Sequence, residues 1–327
     1  MITDSPVARP PGLSLDAAPA ELALSIVIPV YNSAPTVALL LQRVTAAATA
    51  LVNEAFEVIL VDDGSGPDTW AAIEAAAPAY GERVVAVQLM RNFGQHNALM
   101  CGLAHASGAV VVTMDDDLQN PPEEIGKLLQ GLQDQRLDLV YGTPQQREHA
   151  GWRNLGASLV WGFYRKVFKS AVTPTSFRAM RQQLAQSVAF YRLNFTYLDG
   201  LLAWCSSRIG SVEVEHHARG QGRSGYSLGK LVSLALNLYT NFSLIPLQIV
   251  SLLGLAVACC GFALGIYYLV MWLAASISVP GFASTIIAVL VLGGVQLLAL
   301  GVMGEYIGRL HLNVNRKPQY IVRQRKP

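Results

Sequence analysis

From Leu231 to Gly304 the chain runs for 74 residues without an Asp, Glu, Lys or Arg. A helix pair of a water-soluble protein carries a polar face, so a run of this length excludes an ordinary globular hairpin. Two apolar stretches lie inside it, 247–274 and 285–304. Each reaches the roughly 20 helical residues needed to cross about 30 Å of hydrocarbon. The segment SISVPGFAS between them holds Pro280 and Gly281, which stop a helix and form a turn. The pattern predicts a two-helix transmembrane hairpin with both ends on one side.

The basic residues choose the side. Arg219, Arg223 and Lys230 precede the first span, and Arg309, Arg316, Lys317, Arg323, Arg325 and Lys326 follow the second, while the connecting loop has none. The positive-inside rule then predicts a multi-pass protein of the inner (cytoplasmic) membrane, with its soluble domain and both termini cytoplasmic. Residues 152–170 and 228–246, rich in aromatic, apolar and flanking basic side chains, are expected to lie along the membrane surface. Residues 305–327 are expected to form a cytoplasmic tail. Residues 1–21, rich in Pro and Ala, lack a basic start and an apolar core, so they read as a flexible tail rather than a signal peptide.

Charged residues make up 14% of the chain, against about 25% in soluble domains, and the deficit is confined to the membrane region. The net charge of +2 and the absence of a basic block argue against a nucleic-acid partner. The four cysteines have no metal-ligand spacing and fit a reducing compartment.

Residues 22–227 read as an α/β domain. Apolar, β-branched runs at 24–30, 57–61, 84–89, 109–114 and 137–141 predict strands. Helical patterns at 36–51, 68–77, 95–106 and 122–133 fall between them. That alternation predicts a mostly parallel, Rossmann-like sheet with helices on both faces. Ligands of such sheets sit at the carboxyl ends of the strands. There the chain places Pro29-Val30-Tyr31-Asn32, Asp62-Asp63-Gly64-Ser65, Arg91-Asn92-Phe93-Gly94-Gln95-His96 and Asp115-Asp116-Asp117-Leu118-Gln119. Three adjacent aspartates repel one another, and a divalent cation would relieve that. The carboxylates of Asp115 and Asp117 with the amide of Gln119 are hard oxygen ligands suited to Mg²⁺ or Mn²⁺. His216 and His217, adjacent on an extended segment, point to opposite faces and read as structural, whereas His96 is the better candidate for the ligand pocket.

IVIPVYN, VDDGS, RNFGQHNAL and MDDDLQNPPE, in this order and spacing, resemble family 2 glycosyltransferases of the GT-A fold. The resemblance spans about Leu24 to Tyr320 and is strongest to the polyprenyl-phosphate glycosyltransferases. That group includes dolichyl-phosphate mannose synthase, undecaprenyl-phosphate glucosyltransferases and undecaprenyl-phosphate aminoarabinose transferase. The resemblance implies inverting transfer of a sugar from a nucleotide-sugar donor, by preference a UDP-sugar, to a polyprenyl phosphate such as undecaprenyl phosphate. It also makes a homo-tetramer an expected assembly. Pro29, Tyr31 and Asn32 would border the base. Asp63, with Asp62 beside it, would accept a hydrogen bond from the base. Asn92, Gly94 and Gln95 would line the donor pocket beside Asp116. Asp115 and Asp117 match the DxD acids and Gln119 a further metal ligand. Arg219, Gly222, Ser224 and Tyr226 match the element that faces the acceptor phosphate, and Arg223 lies within it. The chain departs from many relatives at Gly225, where they carry Lys.

A phosphate monoester with a second pKa of about 6 is largely a dianion at pH 7 and needs no strong general base. It needs orienting, for which Arg219, Arg223 and Ser224 have the chemistry. Two other readings stay open at this level. One is a polysaccharide synthase, which ordinarily carries more spans and a Q-x-x-R-W element missing here. The other is an inactive membrane scaffold, which would not require the acidic set.

Overall fold

The computed structural model describes residues 22–144, 172–191, 196–217, 245–274, 281–315 and 318–327. Its centre is the strand β1 (Leu24–Val30), LSIVIPV, in which every residue is buried. Such a run has no polar face to offer water, so it must be covered on both sides, as in parallel sheets. β2 (Phe56–Asp62) and β3 (Val84–Leu89) follow the same logic and pair in parallel on one flank of β1. β4 (Val110–Thr113) pairs in parallel on the other flank. The five strands and four helices expected from the sequence are all present.

The helices between them cover both faces. α1 (Val37–Val52), α2 (Pro67–Ala76) and α4 (Ile125–Asp134) pack into one core layer with Leu40, Leu41, Ile73 and Leu128. α3 (Gln95–His105), α5 (Gln182–Ala189) and α6 (Leu198–Cys205) pack into the other with Leu99, Leu103, Leu184 and Leu201. α3 lies so close to the sheet that a Cβ on Gly102 would sit 2.2 Å from Cγ1 of Val27, so only glycine fits there.

Four further strands, β5 (Leu139–Pro144), β6 (Arg178–Arg181), β7 (Ile209–Val214) and β8 (Val322–Lys326), complete an eight-stranded sheet among the described residues, in the order β7-β5-β6-β4-β1-β2-β3-β8. β5 (Leu139–Pro144) and β7 (Ile209–Val214) are parallel to each other. β6 (Arg178–Arg181) is antiparallel to both β4 and β5.

Two apolar helices follow, α7 (Ile245–Leu273) and α8 (Phe282–Val314). Their most apolar windows, Leu247–Leu264 and Val291–Gly308, are 0% buried within the protein. α8 has 33 residues, about 50 Å at 1.5 Å per residue, and so runs well past the predicted span end at Gly304. Within 305–327, expected as a tail, α8 continues to Val314 and β8 (Val322–Lys326) returns to the sheet and pairs antiparallel with β3. Unpaired backbone groups on the edge of β3 are satisfied by this return, which an alternating charged sequence such as VRQRK disguises. The surface helix predicted at 152–170, most of that at 228–246, and Pro280 lie outside the described residues.

Candidate active site

The carboxyl ends of β1 to β4 open into a cleft of about 240 Å³. It is lined by Pro29, Val30, Tyr31, Asp63, Asn92, Gly94, Gln95, Asp115, Asp116 and Asp117. Sequence-predicted residues from each of the four strand ends, though not all of them, are thus brought together.

Each acid has a distinct task. Asp63 is nearly buried and accepts the backbone N–H groups of Phe93 at 2.7 Å and Gly94 at 2.9 Å. It therefore fixes the loop after β3 that carries Asn92 and Gly94 into the cleft. Its carboxyl is held above the usual aspartate range by burial, which outweighs those two hydrogen bonds. Asp115 accepts Gln95 Nε2 at 2.6 Å on one oxygen and Ser176 Oγ at 2.5 Å on the other. Asp116 Oδ2 accepts the Ser33 hydroxyl and the Tyr31 N–H at 3.2 Å, and so ties the fourth strand end to the first. Burial raises the carboxyls of Asp115 and Asp116 above the usual range, and the neighbouring charge of Asp117 adds to this at both. Leu118, at φ 57°, turns the chain away directly after the acids.

Several expected roles move. Asp62 is fully buried, outside the cleft lining, with both oxygens occupied: Oδ1 by the Ser65 N–H at 3.0 Å and Oδ2 by Gln88 Nε2 at 3.1 Å. It braces the first two strand ends from within the core. Asn32 is likewise absent from the lining. Its N–H donates to Ser65 Oγ at 2.9 Å and its Oδ1 accepts the Gly66 N–H at 3.1 Å, which cross-ties the first two strand ends at a φ of 55° that asparagine tolerates. Gln119 also stands outside the lining; its N–H donates to Asp117 Oδ1 and its carbonyl accepts the His217 N–H at 2.8 Å. His96 lies under the cleft, against Tyr197 with ring centroids 5.4 Å apart, and its Nδ1 accepts the Leu198 N–H at 3.4 Å. Burial lowers its pKa, in keeping with that acceptor role. Arg219, Arg223 and Ser224 lie outside the described residues.

Sequence reasoning assigned no role to the support beneath the acids. Arg178, fully buried, donates from Nε to Thr113 Oγ1 at 2.9 Å and pairs with Asp199, which also accepts the Tyr141 hydroxyl at 3.0 Å. Thr113 Oγ1 in turn donates to the Ser176 carbonyl at 2.8 Å. No local pattern marks these residues in the sequence, since serines and a lone arginine carry none of their own.

The donor set fits a divalent cation. Among the described residues no three His, Cys, Asp or Glu side chains are arranged around one metal position. Mg²⁺-type sites ordinarily take one or two protein carboxylates and complete their shell with water and substrate phosphates. Asp115 and Asp117 could supply such a pair; burial raises the Asp115 carboxyl, and the adjacent charges of Asp117 and Asp116, which a cation would relieve, add to it.

Comparison with known proteins supplies the family. Residues 25–190 match the family described as Glycosyl transferase family 2. The chain is 35% identical over 303 residues to undecaprenyl-phosphate 4-deoxy-4-formamido-L-arabinose transferase of Sodalis glossinidius, covering 91% of this chain and 92% of that protein. It is also 35% identical over 303 residues to the transferase of the same name from Pseudomonas aeruginosa strain LESB58, covering 91% and 89%. Among solved structures, glucosyl-3-phosphoglycerate synthase from Mycobacterium tuberculosis, in complex with Mn²⁺, UDP and phosphoglyceric acid, superposes with a TM-score of 0.48. The sequences are 24% identical there, over 71% of this chain and 82% of that one. With a mostly parallel sheet of GT-A type, four polar strand ends around one acidic cleft and relatives matched nearly end to end, the chain belongs to glycosyl transferase family 2 and is a glycosyltransferase.

Proposed function

We propose that this enzyme transfers a sugar from a nucleotide-sugar, by preference a UDP-sugar, to a polyprenyl phosphate of the undecaprenyl type at the cytoplasmic face of the inner membrane. The observation that carries the reading is that one chain holds both the acidic cleft and two apolar helices whose most apolar windows have no residue buried within the protein. Bare helices of that kind need a lipid surround, and the relatives matched over the same length are named for transfer involving undecaprenyl phosphate.

In this reading Tyr31, half-exposed beside Pro29, meets the base, and the loop held by Asp63 presents Asn92 and Gly94 to the donor. Asp115 and Asp117 would hold a Mg²⁺ or Mn²⁺ ion, which supplies Lewis-acid stabilisation of the departing diphosphate. Gln95 and Ser176 keep the Asp115 carboxylate in place for that task. Asp116, committed to Tyr31 and Ser33, sets the position of the first strand end. The acceptor is already anionic, so Arg219, Arg223 and Ser224, just before the first span, orient it for in-line attack and inversion. A homo-tetramer embedded in membrane lipid is the assembly that the resemblance implies.

The reading is tested by offering purified protein a panel of nucleotide sugars with undecaprenyl phosphate and weighing the lipid product by mass spectrometry. A glycosylated undecaprenyl phosphate with one donor is expected, and none with any donor would overturn it. A reporter placed after Pro327 is expected in the cytoplasm and one inserted at Pro280 on the far side. The opposite labelling would overturn the orientation.

A further inference from the structure

The strand that follows the membrane hairpin reaches the cleft through a single file of hydrogen bonds. β8 lies on β3 with Gln324 opposite Gln88. Gln324 Nε2 donates to Gln88 Oε1 at 3.0 Å, and Gln88 Nε2 donates to Asp62 Oδ2 at 3.1 Å. Asp62 Oδ1 accepts the Ser65 N–H at 3.0 Å, and Ser65 Oγ accepts the Asn32 N–H at 2.9 Å. Asn32 follows Tyr31, which lines the cleft.

The file has a polarity. A primary amide has one donating and one accepting end, so a donor at 324 obliges Gln88 to turn its own donor toward Asp62. If the first amide were reversed, the Gln88 carbonyl would face a buried carboxylate and two acceptors would meet without a proton between them. The backbone runs alongside: the Met90 N–H donates to the Ile321 carbonyl at 2.9 Å, and Arg323 Nη2 donates to the Met90 carbonyl at 3.0 Å. Met90 leads into the loop that carries Asn92 and Gly94. The turn after Asp62 sits directly on that loop, since a Cβ on Gly64 would lie 2.2 Å from the Arg91 carbonyl carbon.

We infer that Gln324 is a positioning residue for the nucleotide-sugar cleft, acting through Gln88 and Asp62 on the first two strand ends. Gln324 lines no part of the cleft itself. The inference rests on the reading of that cleft as the donor site.

The test reverses the polarity without changing shape. In Gln324→Glu the introduced carboxylate only accepts, so Gln88 must turn and set its carbonyl against Asp62. Binding of nucleoside diphosphates to the full chain in detergent, with Mn²⁺, is measured by calorimetry beside the melting temperature. Gln324→Glu is expected to weaken binding about tenfold, the scale of one buried acceptor left unsatisfied. Asp62→Asn alone is expected to weaken it as well. The double variant Gln324→Glu/Asp62→Asn restores a complete file of opposite polarity and is expected to recover binding to within about twofold, a coupling that independent sites do not show. Unchanged binding in Gln324→Glu, or a double variant no better than the singles, would overturn the inference. A native chain that binds none of UDP, GDP, CDP, ADP and dTDP would instead overturn the donor-site reading beneath it.

Discussion

Arg178 and Asp199 form a buried ion pair beneath the acidic cleft, with the arginine side chain 1% exposed and the aspartate side chain 11% exposed. The pair joins β6 to α6, and Arg178 Nε reaches Thr113 at the end of β4, two residues before Asp115. Removing one member leaves the other charge without its partner in the core, a loss of about 3–5 kcal/mol. Asp199→Ala is therefore expected to lower the melting temperature sharply, while Arg178→Met/Asp199→Leu together cost much less. Denaturation of both variants by heat checks this; equal losses would show that the pairing is not what matters.

In the proposed reading, the acids make activity and stability depend on a divalent cation. Transfer is expected to vanish in EDTA and in Asp117→Ala, and Mn²⁺ is expected to raise the melting temperature of the native chain but not of that variant. Because burial and the neighbouring charges hold Asp115 and Asp116 above the ordinary carboxylate range, their own contribution to stability without metal is present at low pH and lost as pH rises through those raised values. Protons compete with the cation over the same window. The Mn²⁺ stabilisation should thus be largest near neutrality and fade on acidification, which melting curves across pH would reveal.

His96 gives a pH effect of opposite sign. Its folded pKa lies below the ordinary 6.5 because burial disfavours the charged ring. A depressed value contributes stability above the unfolded pKa that is lost as pH falls through the folded one. His96→Asn keeps an acceptor for the Leu198 N–H and removes the titration. The difference in melting temperature between native chain and variant is expected to shrink from pH 8 to pH 5; a constant difference would contradict the buried neutral ring.

At the acceptor end, Arg219→Lys keeps the charge and removes the fork of donors. Donor binding and membrane association should be unchanged, while transfer at subsaturating lipid falls at least about tenfold, or about 1.4 kcal/mol. Near-normal transfer would reduce Arg219 to a contact with lipid head groups.

How far the sequence could be read depended on where the information sat. β1, β2 and β3 announce themselves because strands covered on both faces must be continuously apolar. β6 is four residues long and half arginine, and β8 reads VRQRK; neither carries an apolar run, so both emerge only from pairing. The cleft was legible because three consecutive aspartates have no use in a core. Asp62 and Asp63 were both expected at the donor, and only the fold shows that Asp63 lines the cleft while Asp62 is buried with both oxygens occupied. Ser33 and Ser176 stayed hidden for another reason: each touches an acid 83 or 61 residues away along the chain, and no local pattern marks such a contact.

The place of β8 at the outer edge of β3 also sets an order of manufacture. A ribosome releases β1 to β7 first, then the apolar hairpin, and only afterwards the strand that closes the sheet. Until α7 and α8 have been handed to the membrane, the nascent catalytic domain carries an open row of amide and carbonyl groups along β3, the kind of edge on which neighbouring chains aggregate. Insertion into the bilayer and completion of the sheet are then consecutive steps of one assembly line. A chain that stalls in the hairpin leaves behind a domain with every cleft residue made and one border unsealed.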